Sequence, residues 1–146
     1  MAVDIPATLI DTGAILAVLN RKDPWHGPCI ETLLQLRLPL LTSEAVLTEL
    51  FHLVGSASHA MQAAWKFVRS DALQIAAIST DDLPRLDELM TRYADRPMDF
   101  ADATLVRLAE REGISTIFTV DQADFTVYRI GSKGRFRILP VDRPRR

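Results

Sequence analysis

The chain has 146 residues and a formal net charge of −2, with 48% hydrophobic and 25% charged residues. Those proportions are ordinary for one soluble globular domain and exclude a disordered, collagen-like or low-complexity chain. One cysteine, Cys29, excludes an internal disulfide and any Cys-based metal knuckle. No apolar run reaches the ~18–20 residues of a membrane span. The N-terminus lacks the basic region and long apolar stretch of a signal peptide, so a cytoplasmic location is expected.

In chain order, Ala7–Ile10 is a short apolar run that reads as a buried strand, and Thr12–Asn20 is helical in pattern. Asp23-Pro24 predicts a helix start, with the acid as cap and proline in the first turn, running to about Arg37. Pro39–Leu41 is a brief strand. Thr42-Ser43 caps a helix that reaches Val54 and ends at Gly55. Ser58–Ser70 is a further helix and Leu73–Ile78 a third strand. Ser79–Asp82 opens a helix to about Tyr93, and Asp99–Glu112 is the last long helix, closed by Gly113. Ser115–Val120 and Phe136–Pro140 complete the strands.

Strands alternating with helices imply crossover connections. The expected fold is therefore a single α/β domain over residues 1–146, a three-layer α/β/α sandwich on a mostly parallel four- or five-stranded sheet. Charge is uneven along it. Residues 129–146 carry seven basic side chains against Asp142, a local +6, whereas the preceding 128 residues carry ten basic and eighteen acidic ones, a local −8. The basic C-terminal tail, about 141–146, is either a phosphate-contacting strip or a solvated terminus.

In open parallel sheets, ligands sit beyond the carboxyl ends of the strands. Asp11 follows the first strand and Asp121 the fourth, so parallel pairing brings both acids to one edge. Each also has a plain structural role open to it, Asp11 as a helix cap and Asp121 in an Asx-turn. Asp102 is less easily explained. On a helical wheel it falls inside the apolar arc formed by Ala101, Leu105, Leu108 and Ala109, so its carboxylate faces the interior. A buried charge there must be protonated, paired or bound to a cation. Asp99, one turn earlier, is either a cap or a second-rank ligand. Glu49 lies just outside the apolar arc of its helix, positioned either for solvent or for a cleft at the core rim. Four acids, Asp11, Glu49, Asp102 and Asp121, thus share a destination where they would repel one another strongly without a cation. Oxygen ligands without His or Cys favour Mg²⁺, with Mn²⁺ as a substitute, over zinc. Such an ion can activate water and polarise a phosphodiester.

Four stretches in order resemble the motifs of PIN domains. They are Leu9-Ile10-Asp11-Thr12-Gly13-Ala14, Thr42 to Glu49, Met98-Asp99-Phe100-Ala101-Asp102-Ala103, and Phe118 to Phe125 with Thr119 and Asp121. The resemblance spans essentially the whole chain. It implies a magnesium-dependent endoribonuclease in which Asp11 and Asp102 are the principal metal ligands, Glu49 and Asp121 complete the acidic pocket, and Thr12 and Thr119 assist by hydrogen bonding. Many small bacterial members are VapC-type toxins that cleave RNA, are neutralised by a VapB-like antitoxin and form homodimers. A well-formed extra helix between Asp11 and Glu49, and an acidic body, are departures from that pattern. The alternative is a catalytically weak or inactive binding module on the same fold. Asp11-Thr12-Gly13 also matches the catalytic triplet of aspartic proteases, but helical periodicity after Gly13 opposes their all-β fold. No Gly-rich phosphate loop is present.

Overall fold

A computed structural model describes residues 6–145. Five parallel strands form the central sheet: β1 (Thr8–Ile10), β2 (Leu40–Ser43), β3 (Leu73–Ala76), β4 (Thr116–Phe118) and β7 (Arg137–Leu139), in the order β3-β2-β1-β4-β7. Helices α1 (Thr12–Leu19), α2 (His26–Gln35), α3 (Glu44–Val54), α4 (Ser58–Val68), α5 (Leu83–Arg92), α6 (Phe100–Glu112) and α7 (Gln122–Val127) flank it in the three-layer α/β/α arrangement. No helix among the described residues is long and apolar enough to cross a membrane.

The central strands β1, β2 and β4 are covered on both faces. Leu9, Ile10, Leu40, Ile117 and Phe118 are fully buried, which suits apolar runs rather than alternating ones. Register pairs Ile10 with Phe118 and Leu9 with Ile117 on one side of β1, and Leu9 with Leu41 on the other. Strand order reverses direction about β1, so the crevice where ligands bind in such sheets opens at its carboxyl end beside β4. Helix α6 is the most enclosed, with Ala101 through Val106, Leu108 and Ala109 all buried. Asp99 caps its N-terminus, and Gly113, at φ 68°, closes it in the left-handed conformation that glycine adopts without steric cost.

Several boundaries differ from the sequence reading, each for a local reason. The helix expected from Asp23-Pro24 begins at His26, because the Asp23 carboxylate instead accepts the Trp25 N–H at 2.8 Å and folds the chain into a turn before the helix. Ser43 alone caps α3. Thr42 belongs to β2, where its hydroxyl donates to the Ile10 carbonyl at 2.8 Å. The capping box at Ser79 and Asp82 forms, but its turn is 3₁₀ in type over Thr80–Asp82 before α5 begins. Helix α7 and the antiparallel hairpin β5 (Arg129–Ile130) with β6 (Gly134–Arg135) fill a stretch where the sequence pattern predicted no element. On α4, Trp65 and Met61 are 48% and 37% exposed, with Trp65 packed on Phe51 at 4.6 Å between ring centroids. Of the basic C-terminal run, Arg129 is committed to the carbonyls that end α7 (Thr126, Val127 and Tyr128), whereas Arg143 and Arg145 are exposed and Arg146 lies outside the described residues.

Asp82, only 2% exposed, shows how this fold satisfies a buried acid. It receives Arg107 and Arg111, each at 2.8 Å, and the Ser79 N–H at 2.9 Å. The Ser79 hydrogen bond first, then the two guanidinium groups, hold its carboxyl at about 2. Asp82→Asn should destabilise the protein by about 2–3 kcal/mol, since it strips charge from a buried pair. Because the folded-state value is depressed, this contribution is present above the ordinary carboxyl range and is lost as pH falls from about 4 toward about 2. Urea melts of both proteins at pH 6 and pH 3 should therefore converge at the lower pH.

Candidate metal and catalytic site

The carboxyl edge of β1 and β4 gathers the predicted acids. Asp11 immediately follows β1 and extends its pairing, its N–H donating to the Phe118 carbonyl at 3.0 Å. It is 2% exposed and also caps α1, accepting the Thr12 N–H at 2.7 Å through Oδ1, so the capping role and the site role coincide in one residue. Oδ2 accepts the Thr119 hydroxyl at 3.0 Å from the end of β4. The same Thr119 Oγ1 accepts the Asp121 N–H at 3.0 Å, so one hydroxyl orients an acid on each of the two strands. Gly13 permits this closeness, because a Cβ there would overlap the Cγ2 methyl of Val120 in the loop carrying Asp121.

Asp102 is 8% exposed, as the helical wheel requires. Its backbone N–H is capped by Asp99 Oδ1 at 2.7 Å, which establishes the capping role of Asp99. Glu49 is half-buried on α3, and Asp121 is exposed at the rim. Asp121 makes no Asx-turn contact through its side chain among the described residues.

The electrostatics show that these groups share one region. Burial drives the Asp11 carboxyl up to about 7, with the charges of Asp121 and Glu49 adding to it and the Thr12 and Thr119 donors opposing it. Burial likewise raises Asp102 to about 8, reinforced by Asp11, Asp99 and Asp121. Glu49 is raised by burial and then by Asp99 and Asp121, against the Thr12 hydroxyl. Asp121 is raised by burial, Asp124 and Asp99. Among the described residues no lysine or arginine forms an ion pair with Asp11, Glu49, Asp99, Asp102 or Asp121. The contrast with Asp82 is direct: one buried acid has two arginines and a depressed carboxyl, whereas Asp11, Glu49, Asp102 and Asp121 have none and are raised.

This donor set suits a hard divalent cation. Among the described residues no three acidic, histidine or cysteine side chains are drawn tightly enough to cage an ion by themselves. Magnesium does not require that, since it keeps several waters and is held by one or two carboxylates. Each oxygen of Asp11 retains acceptor capacity beyond its present hydrogen bond, and Asp102 Oδ1 is free of any protein donor among the described residues.

Sequence reasoning missed Tyr128. Its hydroxyl, fully buried, donates to Asp102 Oδ2 at 2.9 Å. The ring is fixed edge-on against Tyr93 and Phe125, at 5.0 and 5.1 Å, and the Tyr93 hydroxyl in turn accepts the Arg129 N–H at 3.0 Å. Tyr128 lies past helix α7, which the sequence pattern did not reveal, so nothing placed its side chain near α6. The histidines join no such network at the acids. His26 contacts the Ala17 carbonyl at 2.7 Å, far along α1 from Asp11.

Comparison with known proteins agrees with the fold and with the family resemblance. The PIN domain family profile matches residues 8–130. Ribonuclease VapC26 of Mycobacterium tuberculosis (strain ATCC 25618 / H37Rv) is 30% identical over 134 residues, covering 90% of this chain and 99% of that protein. The crystal structure of Mycobacterium tuberculosis VapC20, described as a sarcin-ricin loop cleaving toxin, matches with a TM-score of 0.71 at 24% identity over 80% of this chain and 93% of its own. VapBC2 from Rickettsia felis, solved bound to a DNA fragment from their promoter, matches at 0.64 and 16% identity over 90% and 97%.

Proposed function

The chain belongs to the PIN domain family, and from that premise we propose that it is a magnesium-dependent endoribonuclease, the toxin of a VapBC-like toxin–antitoxin pair. The observation that carries this reading is the group of uncompensated acids at the β1/β4 crevice, two of them buried with carboxyls raised to about 7 and about 8. Similarity to a protein named as a ribonuclease supplies the reaction class. A VapB-like antitoxin and a homodimeric state are part of the proposal through the same similarity.

In this reading Asp11 and Asp102 hold the Mg²⁺, for which Mn²⁺ can substitute. Glu49 and Asp121 act through water, and Asp99 contributes its uncommitted oxygen. Held there, a divalent ion would supply Lewis acidity toward a phosphodiester and toward water. The protein supplies position. Thr119 holds Asp11 and the Asp121 backbone in one arrangement. Tyr128 holds Asp102 through its buried hydroxyl. Thr12, at the first turn of α1, fixes Oδ1 of Asp11 through its N–H.

RNA incubated with the protein should be cleaved with Mg²⁺ or Mn²⁺ and remain intact with excess EDTA. Cleavage that persists after exhaustive chelation would remove the metal from the mechanism. Tyr128→Phe deletes one hydroxyl and keeps the ring packing. Loss of such an outer-shell partner typically costs 10–100-fold in metal affinity, so calorimetric titration with Mn²⁺ should show at least a tenfold weaker site. An unchanged Mn²⁺ affinity would assign Tyr128 to packing alone.

A further inference from the structure

One cleft overlaps the acidic site at Glu49 and Asp99, and the rest of its lining is not used by the chemistry above. It has a volume of about 690 Å³ and lies between α3 and the start of α6. That size lies in the ~300–1,000 Å³ range of small-ligand sites. Its apolar part is formed by Phe100, Ala45 and Ile78. Phe100 is the first residue of α6, directly after Asp99, and is 46% exposed. Its ring pairs with no other aromatic ring among the described residues, so a face of the aromatic remains available. The rim carries Glu44, Thr48 and His52. The Thr48 hydroxyl donates to the Glu44 carbonyl at 3.1 Å, which leaves it as an acceptor. Among the described residues no lysine or arginine lines the cleft.

The carboxylates of this lining disfavour a phosphate, and the exposed Phe100 ring offers a stacking face for a flat ring bearing N–H donors. We propose that the cleft is a nucleobase subsite, in which one unpaired base of the RNA strand stacks on Phe100 beside the scissile phosphate. An exocyclic amino group, as carried by adenine, cytosine or guanine and absent from uracil, is directed at the acceptor rim of Glu44 and Thr48. The inference rests on the ribonuclease reading for its substrate, and deepens it: recognition is of single-stranded RNA, whose unstacked bases can reach an aromatic platform. The carboxylates of the rim keep the backbone phosphates out of the cleft and leave them to the metal-holding edge. Sharing Glu49 and Asp99 between the two places puts base and phosphodiester in adjacent compartments.

The test separates this subsite from catalysis by using neutral nucleosides, which contain no bond to cleave. NMR titration of the full-length protein with adenosine, cytidine, uridine and ribose 5-phosphate is followed at the Phe100, Thr48 and His52 resonances. Adenosine and cytidine should give saturable shifts, uridine, which lacks the amino group, several-fold weaker ones, and ribose 5-phosphate none. Phe100→Ala should weaken adenosine at least fivefold and Phe100→Trp should retain it, with both variants keeping the wild-type melting temperature to within a few degrees. Saturable shifts from ribose 5-phosphate equal to those from adenosine, or nucleoside shifts unaffected by Phe100→Ala, would overturn the subsite. So would a cleft that ignores all nucleosides and responds only to an arginine-bearing peptide, which would make it a protein-docking surface. The RNA cleavage assay is scored separately: absent cleavage with intact nucleoside binding rejects the ribonuclease reading, and intact cleavage without nucleoside binding rejects only the subsite.

Discussion

Asp102→Asn protein is expected to lose at least about a hundredfold in the rate of RNA cleavage while melting at a higher temperature than the wild type in metal-free buffer. The activity loss follows from removing one of two principal anionic ligands, since an ion stabilising developing charge contributes several kcal/mol and each ~1.4 kcal/mol is a factor of ten in rate. The gain in stability follows from the same carboxyl. Without a cation, folding places Asp102 where burial and then Asp11, Asp99 and Asp121 disfavour its ionised form. Asparagine keeps an oxygen to accept the Tyr128 hydroxyl and carries no charge to desolvate. Asp11→Asn should abolish activity equally but gain less stability. Both Asp11 oxygens already accept donors, from Thr12 and Thr119, and an amide offers only one acceptor, so its NH₂ must face a group that now donates. Single-turnover cleavage and thermal melts with EDTA measure both effects. An Asp102→Asn protein that cleaves RNA at the wild-type rate would end the assignment.

Metal-free protein should become less stable as pH rises from about 4 to about 8, the reverse of the usual behaviour of acidic residues. Asp11 and Asp102 have folded-state carboxyls near 7 and 8, above the unfolded value of 3.8, so the folded chain binds more protons than the unfolded one across that interval. Their contribution is complete below about 4 and is lost as pH climbs through the folded values. Asp82 acts in the opposite sense between about 4 and about 2, so stability without metal should peak near the ordinary carboxyl range. Saturating Mg²⁺ should flatten or invert the alkaline side, because a cation that binds only the folded state stabilises it and competes with protons for the same oxygens. Urea melts at pH 5 and pH 8, with and without Mg²⁺, decide it: metal-free stability that is level or rising over this range would show that the two acids are compensated by groups other than a cation.

The acids were legible in the sequence to different degrees, and for identifiable reasons. Asp102 stood out because a helix has a fixed period, and a carboxylate in its apolar arc has nowhere to go but inward. Asp11 and Asp121 were legible once parallel strands were inferred, since chain direction fixes which strand ends share an edge. Glu49 remained ambiguous because it lies at the border of its arc, and only the packing of α3 beside α6 makes it half-buried and turns it toward the cleft. Tyr128 and the α7–β5–β6 stretch were not legible. Six-residue helices and two-residue strands carry too few positions to display a period, and their conformation is decided by partners elsewhere, such as Glu110, whose carboxylate takes the Gly131 N–H at 2.8 Å.

By itself, the sequence determined the α/β class, a mostly parallel sheet of four or five strands, the caps of α1, α3 and α6 and which acids fall at the strand ends, because those depend on periodicity and on local hydrogen bonding. Only the tertiary structure decided the strand order about β1, the bridge from Thr119 to Asp11, the buried hydroxyl on Asp102, and the division of buried acids into one neutralised by arginines and a group left without cations. Such features depend on contacts between residues tens of positions apart, up to 108 for Thr119 and Asp11, a separation over which no local pattern in the chain carries information.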